Sequence, residues 1–311
     1  MKPLLFPLNG TNNLVEGLLE KDRMEVGELE SRQFPDGESY VRLLTPVEAR
    51  EVVLLCSLDR PDTKTLPLLF AADAARAQGA RRIGLVAPYL GYMRQDKSFN
   101  PGEAITSVTY ARLLSGAVDW LVTVDPHLHR YPTLASVYSV PSFGASAAAP
   151  IAGWIRGNVD NPVLVGPDEE SSQWVARIAE LAHARSTVFR KTRSGDFNVS
   201  IAGDGLAQIE GGTPVIIDDI ASSARTMIEA VRVLREAGQR PPVCIAVHPI
   251  FAGDAYEKLT AAGPAAIVST NTVAHTSSAI DVSAEIATAI ERALAFSSST
   301  REPDAAGTVS A

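Results

Sequence analysis

The sequence predicts an α/β fold built on mainly parallel sheets. Three observations predict it. Short β-branched runs recur along the chain, with stretches of helical apolar spacing between them. The runs fall into two series separated by a stretch of small residues. The chain has 311 residues and is 46% hydrophobic, enough for one large or two medium domains with a sizeable core. Strands and helices alternating in this way give parallel sheets flanked by helices.

The first series of expected strands is EVVLLC at Glu51–Cys56, RIGLVA at Arg82–Ala87 and WLVTV at Trp120–Val124. The second is PVLVG at Pro162–Gly166, PVIID at Pro214–Asp218, VCIAVH at Val243–His248 and AAIVST at Ala265–Thr270. Each series has the rhythm of its own doubly wound sheet. The break is expected at SFGASAAA, Ser142–Ala149, dividing the chain into domains 1–143 and 144–295. The remainder, 296–311, is polar with Pro and Gly and is expected to be disordered.

Composition excludes several classes of function. A net charge of −8 argues against generic nucleic-acid binding. No stretch is apolar enough to span a membrane, and MKPLLFPLNG lacks a signal-peptide pattern. Cys56 and Cys244 sit in apolar strand-like runs, which reads as two buried thiols rather than a disulfide or metal pair. These features point to a cytoplasmic enzyme.

The stretch Val215–Val231, VIIDDIASSARTMIEAV, carries the densest chemistry. A β-branched run leads to Asp218 and Asp219. Ser222, Ser223 and Thr226 follow at a helix start, and Gly238 suits the helix end. Free N–H groups at a helix start suit a phosphate, while carboxylates before it suit sugar hydroxyls or a metal. An ordinary capped junction with a solvated acidic turn would read the same way. Elsewhere, FPDGES at Phe34–Ser39 has turn composition. Arg94, Gln95 and Asp96 follow a strand, where α/β sheets place ligands, though a solvated loop has the same pattern. His127 and His129 alternate after WLVTV, but no nearby Cys or third His completes a zinc set. KTRSGDF at Lys191–Phe197 reads as an exposed mobile loop.

Val215–Val231 resembles the phosphoribosyl-binding loop of type I phosphoribosyltransferase folds. FPDGE at Phe34–Glu38, APYLGYMRQDKSFNPGE at Ala87–Glu103, VDPHLH at Val124–His129, GPD at Gly166–Asp168, KTR at Lys191–Arg193 and AVHPIF at Ala246–Phe251 occur in one order. Together they resemble the ribose-phosphate diphosphokinase family, which makes phosphoribosyl diphosphate (PRPP). The likeness runs from about Asn9 to about Ile290, and YMRQDKSFNPGE is most similar to the archaeal-type branch.

The resemblance implies two phosphoribosyltransferase-like domains with the active site between them. It implies the reaction ATP + ribose 5-phosphate → PRPP + AMP, with Mg²⁺. Phe34 would stack on adenine, with Asp36 and Glu38 nearby, and this loop would reach a neighbouring subunit, so a homo-oligomer is expected. Arg94, Gln95, Asp96 and His127 would bind ATP. His127 and Asp168 would be metal ligands, with His129 a weaker candidate. Lys191 and Arg193 would be catalytic, closing over the nucleotide. Asp218 and Asp219 would hold the ribose hydroxyls, and Ser222, Ser223, Ala224, Arg225 and Thr226 the 5-phosphate.

Two departures from the family pattern stand out, one at Arg225 and one at Glu169 and Glu170. Arg225 stands where a glycine is usual, a residue that permits close backbone approach and a demanding φ. Glu169 and Glu170 follow Asp168, where a basic or small residue and then Gly are usual. These departures motivate one rival reading, a non-catalytic PRPP-synthetase-associated regulatory protein. A PRPP-consuming phosphoribosyltransferase is the other rival. It would share the anchor loop but not RQD or FPDGE.

Overall fold

The computed structural model describes residues 1–8, 11–20, 22–167, 171–189 and 209–296. The described residues form two six-stranded sheets and one separate hairpin. The first sheet contains β1 (Leu4–Pro7), β2 (Glu25–Val26), β5 (Glu51–Leu55), β6 (Arg82–Ala87), β7 (Trp120–Val124) and β8 (Ser142–Ala145). Its order is β2-β1-β5-β6-β7-β8, with every pair parallel. The second contains β9 (Pro162–Gly166), β10 (Arg185–Val188), β11 (Thr213–Ala221), β12 (Val243–Pro249), β13 (Ala266–Thr270) and β14 (Ser278–Ile280). Its order is β10-β9-β11-β12-β13-β14, also parallel throughout. The hairpin pairs β3 (Leu29–Gln33) with β4 (Ser39–Leu43), antiparallel.

The β-branched runs form strands because both of their faces are covered. In β5, Val53 and Leu55 face a core shared with the second sheet, while Val52 and Leu54 face a separate outer core. In β11, Val215 and Ile217 face the shared core, and Ile216 faces the opposite side. The shared core also takes Leu14 and Leu18 from α1 (Asn12–Leu19), Ile151 and Ile155 from α4 (Ala148–Asn158), Ile178 from α5 (Ser172–Ala182), and Ile286 and Ile290 from α8 (Ser283–Ala295). These helices therefore form a layer between the two sheets. The outer faces are closed by α2 (Pro61–Ala77) and α3 (Thr106–Ala117) on one side, and by α6 (Arg225–Glu236) and α7 (Ala255–Ala262) on the other. Fully burying a side chain of this size contributes roughly 1.5–3 kcal/mol, so one continuous core fixes the two sheets against each other.

Three features differ from the sequence reading. The acidic pair does not end its strand: β11 runs nine residues, through Asp218 and Asp219 to Ala221. It continues because β12 is long enough to pair beyond the acids, with Ile220 opposite His248 and Ala221 opposite Pro249. The expected domain division at 143/144 falls inside β8, which pairs with β7. Short strands β1, β2, β8, β10 and β14 extend the sheets beyond the expected runs. Cys56 and Cys244 are both buried and unpaired. Among the described residues no helix is long and apolar enough to cross a membrane. Of the expected disordered tail, 297–311 lies outside the described residues.

Candidate active site

The strand order of the second sheet reverses between β9 and β11, and a crevice opens outside carboxyl ends at such a point. The end of β11 delivers Asp218 and Asp219 there. The Asp218 carboxylate accepts a hydrogen bond from the Asp219 N–H at 3.0 Å. The chain then turns through Ser222, Ser223 and Ala224. Phe251 N–H donates to the Ala221 carbonyl at 2.8 Å, and Ala252 N–H to the Ser222 carbonyl at 2.9 Å, which brace the turn. Ala224 takes a left-handed backbone with φ 53°. The first bond into α6 runs from Ile228 N–H to the Ala224 carbonyl, so the preceding N–H groups have no partner inside the helix. The conformational demand thus falls on buried Ala224, while Arg225 is exposed in the first helical turn. Ser222 and Thr226 are half-buried beside it and Ser223 is exposed.

The partner of this loop comes from the first sheet. The chain leaves β7 through Asp125, whose φ is 31°. His127 Nδ1 then lies 2.8 Å from Asp219 Oδ2. The His127 and His129 rings stack with centroids 3.7 Å apart. Ligand atoms of His127, His129 and Asp219 all lie within 4.8 Å of one another. The third group missing from the two-histidine pattern is therefore a carboxylate from the other sheet. Burial pushes the Asp219 carboxyl up, but the His127 hydrogen bond and the nearby His127, His248 and His129 rings outweigh it and hold the carboxyl below its usual range. Asp219 is thus an ionised carboxylate facing two imidazoles.

The loop after β6 adds further groups. Burial raises the Tyr89 phenol, Arg94 draws it back and Asp219 raises it again, so both charges act on the same ring. Arg94 itself is exposed. Gln95 is half-buried at the start of α3, where its carbonyl accepts the Ser107 N–H at 3.3 Å. Asp96 turns inward: its side chain is 2% exposed, and Oδ1 accepts from Arg130 Nη1 at 2.7 Å. Its other oxygen has no hydrogen bond among the described residues. In this arrangement Asp96 ties the loop after β6 to the segment following His127 and His129. It offers no exposed oxygen to a nucleotide.

The hairpin tip stands apart. Phe34 is 40% exposed and meets Tyr40 edge-on, with the Arg32 guanidinium over both rings. Asp36 Oδ1 accepts the Glu38 N–H at 3.2 Å, shaping the turn. Among the described residues, no hydrogen bond or ring contact joins Phe34, Asp36 or Glu38 to His127 or Asp219. Asp168, Glu169, Glu170, Lys191 and Arg193 lie outside the described residues. In sequence, Asp168 lies two residues past the end of β9, the strand beside β11.

Four residues near the site escape a motif-by-motif reading. Asp125 bends the chain towards Asp219. His248, Thr272 and Ser57 form a buried polar network where the sheets meet. The available signal was the AVHPIF stretch, which places His248 at the carboxyl end of β12.

Comparison with known proteins agrees with this geometry. Residues 4–117 match the family described as the N-terminal domain of ribose phosphate pyrophosphokinase, and residues 138–283 match the phosphoribosyl transferase domain. A ribose-phosphate pyrophosphokinase of Methanopyrus kandleri is 30% identical over 88% of this chain and 94% of its own. One from Saccharolobus solfataricus is 32% identical over 85% of this chain and 91% of its own. In fold, the chain is similar to the crystal structure of phosphoribosylpyrophosphate synthetase from Mycobacterium smegmatis. The TM-score is 0.82 at 24% identity, covering 94% of this chain and 99% of that one. The sheets, the crevice and these relatives agree: the chain belongs to the ribose-phosphate pyrophosphokinase family.

Proposed function

We propose that the chain transfers the β,γ-diphosphoryl group of ATP to the C1 hydroxyl of ribose 5-phosphate, giving PRPP and AMP. The observation that carries this reading is the 2.8 Å contact between His127 and Asp219. It joins the nucleotide side of the crevice, fed by β6 and β7, to the sugar-phosphate side, fed by β11. In the reaction the C1 hydroxyl oxygen bonds to the β-phosphorus, the bond from that phosphorus to the α,β-bridging oxygen breaks so that AMP leaves with that oxygen, and the proton of the C1 hydroxyl is released.

The residues divide the work by charge and position. The turn from Ser222 to Thr226 and the free N–H groups opening α6 hold the 5-phosphate, and Asp218 and Asp219 hold the ribose hydroxyls. Arg94 meets phosphate, Gln95 lies beside the nucleotide, and Asp96 positions that loop through Arg130. Lys191 and Arg193 close over the transferring group and stabilise its charge. Rate enhancement comes mainly from alignment and electrostatics, as in phosphoryl transfer generally.

The donor set suits a divalent cation, because Asp219 is held ionised beside His127 and His129. Magnesium prefers oxygen and keeps several waters. Asp219 and Asp168 would therefore hold it with substrate oxygens, and His127 would contact it directly or through water. When bound, the ion neutralises charge on the phosphate oxygens. The same reading places the protein in the cytoplasm, where two buried free thiols are at home. It also makes the active species a homo-oligomer whose hairpin tip, with Phe34, Asp36 and Glu38, serves a neighbouring site.

The rival readings lose support. The match of residues 4–117 counts against a PRPP-consuming phosphoribosyltransferase. Exposure of Arg225 removes one reason for a non-catalytic protein. Lys191→Ala tests the assignment. At saturating substrates, turnover should fall roughly 100- to 1,000-fold, as when one transition-state donor is lost, with Michaelis constants nearly unchanged. Wild-type turnover would remove Lys191 from the mechanism.

A further inference from the structure

We propose that His248 is a positioning residue for His127, acting across the junction of the two sheets through the backbone carbonyl of Asp125. The proposal rests on the reading that His127 works at the active site.

His248 is 2% exposed, so it cannot itself reach a substrate in a solvated crevice. Its Nδ1 lies 2.9 Å from Thr272 Oγ1, and its Nε2 lies 3.4 Å from the Asp125 carbonyl. A carbonyl only accepts, so Nε2 carries the proton and Nδ1 is an acceptor facing the Thr272 hydroxyl, which also lies 2.9 Å from the Val247 carbonyl. Neighbouring Thr270 donates to the same carbonyl at 2.6 Å. The Tyr89 ring packs against His248 at 5.0 Å and 64°. Behind them, Ser57 Oγ donates to the Thr272 carbonyl at 2.6 Å, tying the first sheet to the same point.

The object held is a bend that a non-glycine residue adopts at a cost. Asp125 has φ 31°. Its N–H donates to the Ala145 carbonyl at 3.0 Å, and its Oδ2 accepts the Ala147 N–H at 2.7 Å. Those two contacts, with a further one from the Ser146 hydroxyl, come from β8 and the turn after it, at the edge of the first sheet. His248 adds one from the second sheet. Pro126 and His127 continue from this clamped residue, and His127 meets Asp219 on the strand beside His248. An apolar side chain would fill the same space without the cost of burying a polar ring. The imidazole brings directional hydrogen bonds that set the bend relative to β11.

The test compares His248→Gln, whose amide nitrogen falls near the Nε2 position, with His248→Asn, which is too short to reach Asp125. Mn²⁺ binding to the substrate-free protein is followed by electron paramagnetic resonance, and Michaelis constants for ATP and ribose 5-phosphate are measured separately. Amide exchange over residues 125–130 and melting temperature are recorded alongside. His248→Asn should weaken Mn²⁺ binding by about 10- to 100-fold, the range for groups that orient metal ligands. It should raise the constant for ATP and speed exchange in 125–130. His248→Gln should restore Mn²⁺ binding to within a few-fold. Equal losses in both variants, tracking melting temperature alone, would overturn the proposal, as would wild-type Mn²⁺ binding in His248→Asn. His127→Ala serves as the control. If it leaves Mn²⁺ binding and turnover intact, the site reading itself fails and the proposal falls with it.

Discussion

The anchor turn concentrates its conformational demand in one methyl-bearing residue. Ala224 is buried with φ 53°, a backbone that β-branched residues strongly avoid. Ala224→Val should therefore lower the melting temperature and raise the Michaelis constant for ribose 5-phosphate more than that for ATP. Arg225, exposed in the first helical turn, behaves differently. A charge at a helix terminus is worth about 0.3–1 kcal/mol. Arg225→Gly should thus change the constant for ribose 5-phosphate by no more than about fivefold and leave that for ATP unchanged. A much larger change would show the guanidinium clamping phosphate, and equal changes for both substrates would remove Arg225 from the sugar-phosphate site. At this scale the sequence was only partly legible. The acids, hydroxyls and histidines were visible as local patterns. The meeting of His127 with Asp219 was not, because the two are 92 residues apart and join only when two sheets pack. The inward turn of Asp96 was equally hidden, since its partner Arg130 lies on another loop.

Strands buried on both faces were the most legible elements, because continuous β-branched runs need no partner to be recognised. Short strands such as β2, with two residues, carry too little pattern. The extension of β11 past its acids depends on the length of β12, which no local signal in β11 encodes. The pairing of β6 with β7 contains a tight fit of a different kind. A Cβ added at Gly84 would lie 2.0 Å from the Trp120 ring, and Trp120 is 2% exposed. Gly84→Ala should therefore force the indole from its place and destabilise the fold by about 1–3 kcal/mol, as overpacked cores do. Denaturant unfolding would show this as a lower midpoint at unchanged slope. A wild-type midpoint would mean that the sheet relaxes around the indole.

Across the whole molecule, a packed layer of helices lies between the two sheets, and His248 is buried where the sheets meet. Burial lowers this imidazole to about 4, despite the upward pull of Asp219 and the Asp125 and Val124 carbonyls. An unfolded histidine takes up its proton near 6.5. The associated stability is present above about 6.5 and lost as pH falls towards the folded value. Urea unfolding should show this decline, and His248→Gln should make it shallower. If the variant keeps the full slope, the decline belongs to other groups. The outer face of α2 and α3 leaves Leu66, Phe70, Val108 and Leu113 more than 40% exposed. That face would suit a second copy, and β4, from the hairpin, lies against α2. Light scattering should report a dimer or larger, and Phe70→Glu with Leu113→Glu should yield smaller, less active species. A fully active wild-type monomer would rule out the shared site.

On the proposed function, one crevice joins a nucleotide and a sugar phosphate for transfer of an intact diphosphoryl group. The most direct measurement uses [γ-³²P]ATP, ribose 5-phosphate and Mg²⁺ with the purified protein, separating all products. Label should appear in PRPP with equimolar unlabelled AMP and no ADP, and Asp219→Asn should be nearly inactive. Formation of ADP with a singly phosphorylated C1, or no ATP consumption while both substrates bind, would contradict it.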